Sequence, residues 1–458
     1  MSETVIAKIL GAVDPARVYI DARVPDKYLH DEALGVPPRR PLCVVLAKSE
    51  SEVSAVLQLA FEANVPVVPR GSGTGLAGGA TPVEGSIVLS TELMNSILEI
   101  DQENYTATVE AGVTLGQLDD ALRGLELVYP VFPGELGSTL GGNVATNAGG
   151  MRAVKYGVTR HQVLGIEFAL MGGALMKSGG KFVKSSSGYD LTQLLIGSEG
   201  TLGVVTKVTV RIYPRPPHTV SLLVPFVNPQ ELIACVPGLI SAENLPLVLE
   251  YMDASGLYAM AKRVEMDLGI PTSVRESAQA YLMVVLEGSS WDDLASQREE
   301  VARMLSAGGA IECYFLSTKQ AEDLLVARES AFWVSKAAGA NDIVDAVVPR
   351  SEIAGFLEVI KNLAQRTKSY ISGAGHVGDG NVHFSIFQPD LELLGEVQED
   401  IFRYVVSIGG AVSAEHGIGV AKLNHFYETE DSNKLAIMGR IKLAFDPKWL
   451  LNPGKMLK

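Results

Sequence analysis

The sequence predicts a protein of mixed α and β structure with two or three domains, of which the second is α+β or α/β. Its 458 residues are enough for two or three domains. A hydrophobic content of 47% with 20% charged residues is ordinary for a chain that buries large cores. Strand-like and helix-like patterns alternate, and glycine crowds into residues 71–79, 134–150 and 172–203 and thins after residue 215. Because clustered prolines interrupt both helix and sheet, the prolines within residues 214–217 indicate a domain boundary.

The elements before this boundary follow from local patterns. A strand at 42–47 leads into a helix that begins with a capping box from Ser49 to Glu52. Its apolar residues recur at helical spacing, at Val53, Val56, Leu57 and Ala60. A short strand at 66–69 then meets a glycine-rich loop, and further strands are predicted at 86–90, 105–111, 164–171 and 202–213.

After the boundary, apolar strands again alternate with amphipathic helices. Strands are predicted at 220–226, 247–252, 281–287 and 311–316. Helices are predicted to start at Pro229, Trp291 and Thr318. The final segment, 446–458, is predicted to be loop, with a turn at Asn452-Pro453-Gly454.

Composition argues against several kinds of partner. A formal net charge of −15 and the lack of a basic run disfavour nucleic acid. Cys43, Cys235 and Cys313 lie far apart without a CxxC motif, so neither an iron–sulfur cluster nor a thiolate zinc site is expected. No signal peptide and no apolar run long enough for a membrane span is evident. We expect a cytoplasmic protein, with peripheral membrane attachment left open.

A glycine-rich loop occupies residues 71–79, and Gly73 to Gly78 match the pattern GxGxxG after a strand. In a dinucleotide-binding fingerprint this pattern opens a helix. Thr81-Pro82 follows instead and cannot begin one, so we reject the Rossmann interpretation. The free N–H groups of the loop, with the hydroxyls of Ser72 and Thr74, suit phosphate oxygens. Arg70 could add charge there or form a structural salt bridge.

Two further loops rich in small residues lie at 133–150 and 197–203. Small residues in three separate loops suggest backbone packed closely against one large flat ligand. The alternative is three ordinary surface turns. Surface turns are usually short and polar, whereas these loops are long and mix glycine with alanine, valine and leucine.

Histidines and an acidic residue cluster near the C-terminal end. Asp379-Gly380 is a strong signal for a two-residue hairpin turn, which would pair His376 with His383. Directly opposed Cβ atoms lie about 4.5–5.5 Å apart, close enough for two imidazoles to share an ion. Glu415 could supply a third ligand and leave one position open for a substrate. The alternative is two exposed hairpin histidines and an unrelated Glu-His pair.

Six ordered motifs resemble one known family. They read PRGSGTG at 69–75, GGNVATNAGG at 141–150, GSEGTLG at 197–203, GHVGDGNVH at 375–383, EHG at 415–417 and NPGK at 452–455. This order is similar to that of the FAD-linked D-2-hydroxyacid dehydrogenases of the vanillyl-alcohol-oxidase superfamily. That family includes glycolate oxidase FAD subunits, D-lactate dehydrogenases and D-2-hydroxyglutarate dehydrogenases.

The resemblance implies an α+β fold in three parts. Residues 1–215 would form a PCMH-type FAD-binding domain of two α+β subdomains. Residues 216–420 would form an α+β substrate- and metal-binding domain with an antiparallel sheet, and residues 421–458 would return to the FAD domain. No histidine or cysteine lies between Arg70 and Ala80, so FAD is expected to be bound non-covalently. The implied FAD-binding residues are Arg70, Gly71, Ser72, Gly73, Thr74, Gly75, Pro133, Gly134, Ser138, Thr139, Gly141, Gly142, Asn143, Ala145, Thr146, Asn147, Gly149, Glu199, Gly203, Val204 and Asn452.

The resemblance also implies an active site. His376, His383 and Glu415 would bind one divalent metal, zinc first, with iron or manganese as alternatives. His416 would contact the substrate and serve as the catalytic base, while Arg328 anchors the substrate carboxylate and Asn381 lies beside the substrate. The implied reaction oxidises a D-2-hydroxyacid to a 2-keto acid, with metal-assisted proton removal and hydride transfer to N5 of FAD. The electrons would pass to an external acceptor, which could be an electron-transfer flavoprotein, a quinone or an iron–sulfur subunit.

The substrate and several rival functions stay open. Phe332 and Ile343 stand where hydroxyglutarate-type enzymes carry polar groups, which favours a short or apolar substrate such as D-lactate or glycolate. D-2-hydroxyglutarate is the alternative, since Lys336 could reach the pocket. A same-fold FAD transferase, a non-catalytic FAD subunit and a nicotinamide-dependent dehydrogenase are less favoured. The oligomeric state is open, with a homodimer among the options.

Overall fold

The computed structural model describes residues 2–242 and 245–458, and it confirms the α+β class. The first sheet has four strands in the order β1-β2-β4-β3. β4 pairs in parallel with β2 and β3, and β1 pairs antiparallel with β2. Two helices, α1 and α2, pack on this sheet through one apolar core. The elements are α1 Ser2–Ala12, β1 Val18–Ile20, β2 Cys43–Leu46, α2 Glu50–Ala63, β3 Val67–Arg70 and β4 Ile87–Ser90.

Helix α2 begins as its sequence predicts, but only half of the capping box forms. The Ser49 hydroxyl accepts a hydrogen bond from the backbone N–H of Glu52 at 3.3 Å. The Glu52 carboxylate does not reach back to Ser49. It accepts from the backbone N–H of Lys48 at 2.8 Å and pairs with Arg17 at 2.6 Å. An ion pair with a distant arginine therefore replaces the second half of the capping box.

The second sheet has five antiparallel strands in the order β5-β6-β10-β8-β9. Small helices and the long loops cover it, and a separate ribbon joins β7 to β11. The strands are β5 Ile97–Asp101, β6 Thr106–Glu110, β7 Leu127–Val128, β8 Val163–Ala169, β9 Leu175–Gly179, β10 Val204–Arg211 and β11 Tyr213–Pro214. The helices are α3 Leu115–Arg123, α4 Leu140–Thr146, α5 Ala153–Tyr156, α6 Thr159–Gln162 and α7 Leu191–Leu195.

The third sheet has seven antiparallel strands in the order β15-β12-β14-β13-β17-β18-β16. Its strands carry apolar residues on both faces, and each face packs against helices in its own core. The strands are β12 His218–Phe226, β13 Val248–Asp253, β14 Ala280–Gly288, β15 Tyr314–Phe315, β16 Asp342–Val347, β17 Tyr370–His376 and β18 Asn381–Phe387. The helices are α8 Pro229–Ser241, α9 Ala254–Arg263, α10 Thr272–Ser277, α11 Trp291–Ala307, α12 Thr318–Glu329, α13 Ala331–Ala337, α14 Ile353–Thr367 and α15 Leu391–Ser407.

The C-terminal segment contains α16 Leu423–Thr429 and α17 Ser432–Phe445, and then packs against the first sheet. Leu451 forms a parallel bridge with Val67 in β3. Lys442 is buried, and its ammonium donates to the Asp446 carboxylate at 2.6 Å. It also donates to the backbone carbonyls of Thr201 and Leu451, each at 2.7 Å. One buried cation therefore ties the last residues to the loop before β10.

No helix in the described part of the chain is both long and apolar enough to cross a membrane.

Candidate active site

Two cavities meet between the second and third sheets. The first has a volume of about 280 Å³ and includes the predicted histidines and Arg328 in its wall. The second has a volume of about 210 Å³ and is lined by the three loops of small residues. The residues that border both cavities are Thr74, Leu76, Pro133, Glu135, Glu415 and His416. The predicted ligand Glu415 and the predicted base His416 therefore lie at the junction.

The histidine hairpin forms, but its predicted register is wrong. Asn381 opposes His376, and His383 opposes Ala374. The turn has four residues, 377–380, because the carbonyl of His376 accepts the N–H groups of both Asp379 and Gly380. A shift of two residues keeps every side chain on its original face of the sheet. The two imidazoles still meet, with 3.4 Å between the Nε2 atoms of His376 and His383.

Glu415 completes a triangle with these imidazoles. Its Oε1 atom lies 3.4 Å from Nε2 of His376 and 3.4 Å from Nε2 of His383. Burial opposes the charge of Glu415, but the two histidines outweigh burial and lower its pKa. Ligands held by a tetrahedral zinc ion at about 2.0–2.1 Å lie about 3.3–3.4 Å from one another. The three side chains therefore fit a tetrahedral metal ion with an open position.

A buried carboxylate lies beside each histidine outside the triangle, and the one beside His376 is hydrogen-bonded to it. Nδ1 of His376 hydrogen-bonds to Glu250, and Nδ1 of His383 lies 3.6 Å from Asp345. Metal-bound histidines commonly use their second nitrogen in this way, which fixes the ring and its tautomer. Asp345, His383 and His416 also lie within 4.8 Å of one another. However, the Asp345 oxygens already accept hydrogen bonds, so they are poor ligands.

Glu250 and Asp345 were both missed in the sequence. Glu250 lies on β13, has no exposed surface, and accepts from Nε of Arg328 at 2.7 Å. Burial would raise the pKa of Glu250, but His376 and Arg328 outweigh it and lower the pKa. Each of the two is an acidic residue with apolar neighbours on both sides in the middle of a strand, which is rarely tolerated unless the charge is paired. That pattern was the available signal.

Asp345 shapes the loop that carries Glu415 and His416. Its Oδ2 atom accepts from the Ser413 hydroxyl and from three consecutive backbone N–H groups, residues 414–416, at 2.8–3.0 Å. Lys422 lies 3.7 Å from the same oxygen. Burial would raise the pKa of Asp345, but His416 and Lys422 keep it well below its usual value. A charged carboxylate therefore organises a loop that has no regular secondary structure.

The predicted base His416 stacks on His383, with ring centroids 5.2 Å apart and planes inclined by 17°. Burial lowers the pKa of His416 to about 4, although Asp345 opposes this shift. Its Nδ1 atom is buried and finds no hydrogen-bond partner within the described residues. A neutral imidazole with a free nitrogen can accept a proton from a bound ligand.

Arg328 and Asn381, the two predicted substrate contacts, are placed differently. Arg328 lines the first cavity, and its Nη2 atom is buried without a hydrogen-bond partner among described residues. Asn381 lies behind the ligand triangle, and its amide donates to Asp345 at 2.8 Å and to the carbonyl of Ala346 at 3.0 Å. Neither cavity wall, within the described residues, includes Asn381. Its placement therefore suits the support of Asp345 rather than contact with a substrate.

Most of the predicted FAD-binding residues lie in one wall. The second cavity is lined by Arg70, Gly71, Ser72, Gly73, Thr74, Gly75, Pro133, Ser138, Thr139, Gly141, Gly142, Asn143, Ala145, Thr146, Gly149, Glu199, Gly203 and Val204. No helix follows the first glycine loop, as expected once the Rossmann interpretation is rejected. Gly134 lines the first cavity instead, and Asn147 and Asn452 line neither one.

Three of these side chains have structural contacts. The Arg70 guanidinium forms no salt bridge with any described residue and donates to the carbonyls of Lys27 and His30 at 2.6 and 2.8 Å. Asn147 ends α4 and accepts the N–H of Arg160 at 3.0 Å. Asn452 donates to the carbonyls of two residues in the second cavity wall, at 3.1 and 2.7 Å. These side chains hold in position the loops that form the wall of the second cavity.

The second cavity fits a large flat cofactor. A Cβ atom at Gly71 would lie 2.2 Å from Oγ1 of Thr139, so any residue other than glycine would clash with Thr139 at this position. Two polar atoms of the wall, Oγ of Ser138 and Nδ2 of Asn143, are buried without hydrogen-bond partners in the described chain. Unpaired donors in a wall of backbone and small residues suit the phosphates and ring edges of a nucleotide cofactor.

Two family descriptions match this chain. The description "FAD linked oxidases, C-terminal domain" matches residues 215–456, and "FAD binding domain" matches residues 41–179. The chain belongs to the FAD-linked oxidase family. It is an FAD-dependent oxidoreductase, and the resemblance to the FAD-linked D-2-hydroxyacid dehydrogenases is confirmed. FAD is thus the cofactor that the second cavity is expected to hold.

Relatives of this family match over nearly the whole chain. An uncharacterized FAD-linked oxidoreductase of Mycobacterium tuberculosis is 45% identical over 99% of each chain. A D-lactate dehydrogenase of Archaeoglobus fulgidus is 39% identical over 94% of this chain and 96% of its own. Among solved structures, p-cresol methylhydroxylase with bound substrate superposes with a TM-score of 0.81 at 18% identity, covering 100% of this chain and 97% of the other. That likeness confirms the PCMH-type fold alone.

Proposed function

We propose that this FAD-linked oxidase dehydrogenates a D-2-hydroxyacid to the 2-keto acid, with non-covalent FAD and one divalent metal ion. The observation that carries the proposal is the ligand triangle of His376, His383 and Glu415, in the same cavity wall as Arg328. That cavity meets the second cavity, which is expected to hold FAD, at Glu415 and His416. A hydroxyacid needs contacts for its carboxylate, its hydroxyl group and its C2 hydrogen, and this junction offers all three.

The side chains divide these tasks. Arg328 binds the substrate carboxylate through Nη2, because its Nε is already bonded to Glu250. His416 accepts the hydroxyl proton on its free ring nitrogen. His376, His383 and Glu415 hold the metal. When bound, the metal supplies a Lewis acid for the hydroxyl group and the flavin supplies a two-electron oxidant.

A zinc ion suits two imidazoles and one carboxylate, and iron or manganese remain alternatives. The first glycine loop, 70–80, contains no histidine or cysteine that could tether the flavin. The electron acceptor is proposed to be external, as a flavoprotein, a quinone or an iron–sulfur subunit, because the chain carries no CxxC motif for a cluster of its own.

An anaerobic titration tests the proposal. The purified, metal-analysed protein is titrated with D- and L-2-hydroxyacids while the oxidised flavin absorbance is followed. D-acids alone should bleach the flavin, and His383→Ala or a chelator should abolish bleaching without releasing FAD. Half-buried His218 is a matched control, since it lines neither cavity within the described residues, and His218→Ala should bleach as the wild type does. A yellow protein that no hydroxyacid bleaches would contradict the proposal and favour a same-fold transferase or a non-catalytic FAD subunit.

A further inference from the structure

The first cavity continues past the ligand triangle as a groove along the third sheet. Its floor is made by one face of β17 and β18, where successive cross-strand pairs lead away from His383. The last pair lies four positions along each strand from the first pair, a distance of about 13 Å at about 3.3 Å per residue. The pairs are Ala374 with His383, Ser372 with Ser385, and Tyr370 with Phe387.

The opposite wall of the groove is apolar and aromatic. Helices α9 and α13 supply most of it, while β16 adds Ile343 to the floor, beside its cross-strand partner Ser385. Phe332 and Trp333 stand edge to face, with ring centroids 5.0 Å apart. The wall residues are Ala259, Met260, Ala331, Phe332, Trp333, Val334 and Ala338. Each of them borders the first cavity only, so the groove is separate from the cavity that suits FAD.

The charges around the groove disfavour a second carboxylate. Within the described residues, Arg328 is the single arginine or lysine in the cavity wall, whereas Glu32, Glu135 and Glu329 also line it. The ammonium of Lys336 is bound to Glu32 at 2.6 Å. A distal carboxylate would therefore meet acidic groups instead of a free cation, and burying it unpaired is costly.

On the basis of the proposed function, we infer that the substrate is a D-2-hydroxyacid with a bulky apolar side chain, branched or aromatic, which lies in this groove. The carboxylate and hydroxyl group occupy the end with Arg328 and the ligand triangle. A cavity of about 280 Å³ is near the size of pockets that enclose drug-sized ligands, and a two- or three-carbon acid would leave the groove empty.

The holoenzyme is titrated anaerobically with D-lactate, D-2-hydroxyglutarate, D-2-hydroxy-4-methylpentanoate and D-3-phenyllactate. The two bulky apolar acids should exceed D-lactate in kcat/KM by about tenfold or more, the usual gain from filling an apolar pocket. Bleaching by D-lactate with equal or weaker bleaching by the bulky acids would overturn the inference and leave the proposed function intact. If no acid bleaches the flavin, the proposed function fails. In that case the groove is tested by ligand binding alone. The keto acid 2-oxo-4-methylpentanoate should stabilise the protein against unfolding more than pyruvate does, and the reverse order would contradict binding of an apolar side chain in the groove.

Two variants locate the effect. Trp333→Ala should lower kcat/KM about tenfold for the bulky acids and much less for D-lactate, while Trp291→Ala removes an exposed tryptophan outside both cavities. Ile343→Lys should shift preference toward D-2-hydroxyglutarate, and Val326→Lys adds the same charge at an exposed position. If Trp333→Ala lowered kcat/KM equally for all substrates, Trp333 would have a structural role, and binding of an apolar substrate side chain in the groove would be contradicted.

Discussion

Replacing Glu250 with glutamine tests how the first cavity is held together. The Glu250 carboxylate has no exposed surface and bonds two site residues, Arg328 through Oε2 at 2.7 Å and His376 through Oε1. Glutamine keeps the shape but offers one acceptor oxygen and an NH2 group. One of the two partners must therefore face a donor instead of an acceptor, and the buried guanidinium loses its counter-charge.

The expected cost follows from these contacts. Removing one partner of a buried ion pair destabilises a protein by about 3–5 kcal/mol, because the other charge stays buried. Arg328 has a side chain only 10% exposed, so water can compensate for little of the loss. Losing the group that orients a metal-bound histidine lowers metal affinity by about 10–100-fold. We therefore expect Glu250→Gln to lose about 3 kcal/mol of unfolding free energy and at least about tenfold in zinc affinity.

Urea denaturation and zinc competition against a chelator measure the two effects. Glu167→Gln is the matched control, since Glu167 pairs with Lys207 at 2.7 Å near the surface, where a pair contributes about 0–1 kcal/mol. Stability losses that are equal in the two variants would refute the assignment of a buried ion pair. Wild-type zinc affinity in Glu250→Gln would refute its role in orienting His376.

Three further changes test other parts of the structure. Gly149→Ala places a Cβ atom 2.7 Å from Oε2 of Glu415, so bound metal measured by elemental analysis should fall, while Gly124→Ala, in open space, should keep it. Lys442→Met leaves two buried carbonyl groups unpaired and removes the counter-charge of the buried Asp446 carboxylate, so it should cost about 3–5 kcal/mol in urea denaturation. A loss under about 1 kcal/mol would contradict the role of Lys442 as an anchor. Burial raises the pKa of Glu329 from 4.5 to about 7, so the native state binds more protons between these values and the unfolding free energy falls as pH rises through them. Glu329→Gln should remove that fall, so its stability relative to the wild type should be greater at about pH 8 than at about pH 5, and a constant difference would contradict the shift.

Much of the fold was predictable because its signals are local. The strand predicted at 220–226 is observed as β12, and the helix predicted from Trp291 is observed as α11, since apolar spacing alone sets both. The predicted strand at 311–316 shrinks to two residues in β15, which pairs only at the sheet edge. The hairpin register was wrong because Asp379-Gly380 was assigned both central turn positions, whereas the His376 carbonyl closes a wider turn.

The candidate site was only partly predictable. The ligand residues lie close together in the sequence, so His376, His383 and Glu415 can be grouped from the amino-acid pattern alone. The residues that orient them are distant, since Glu250 lies 126 positions before His376. Sheet order, which no local pattern contains, brings β13 beside β17 and β16 beside β18. Sequence reasoning therefore finds the ligands more readily than the residues that support them.

The loop that carries Glu415 and His416 depends on two carboxylates from different parts of the chain. Asp345 in β16 binds the N–H groups at 414–416, and Glu199 binds those of Ile418 and Gly419 at 2.6 and 2.7 Å. Glu199 lies in the third glycine loop, in the wall of the second cavity. Because these bonds cross between the loops of the second sheet and the third sheet, the ligand triangle can reach its geometry only when both regions are packed together. The affinity of the proposed metal site should therefore depend on that packing, and removal of FAD, which is expected in the second cavity, should lower that affinity as well.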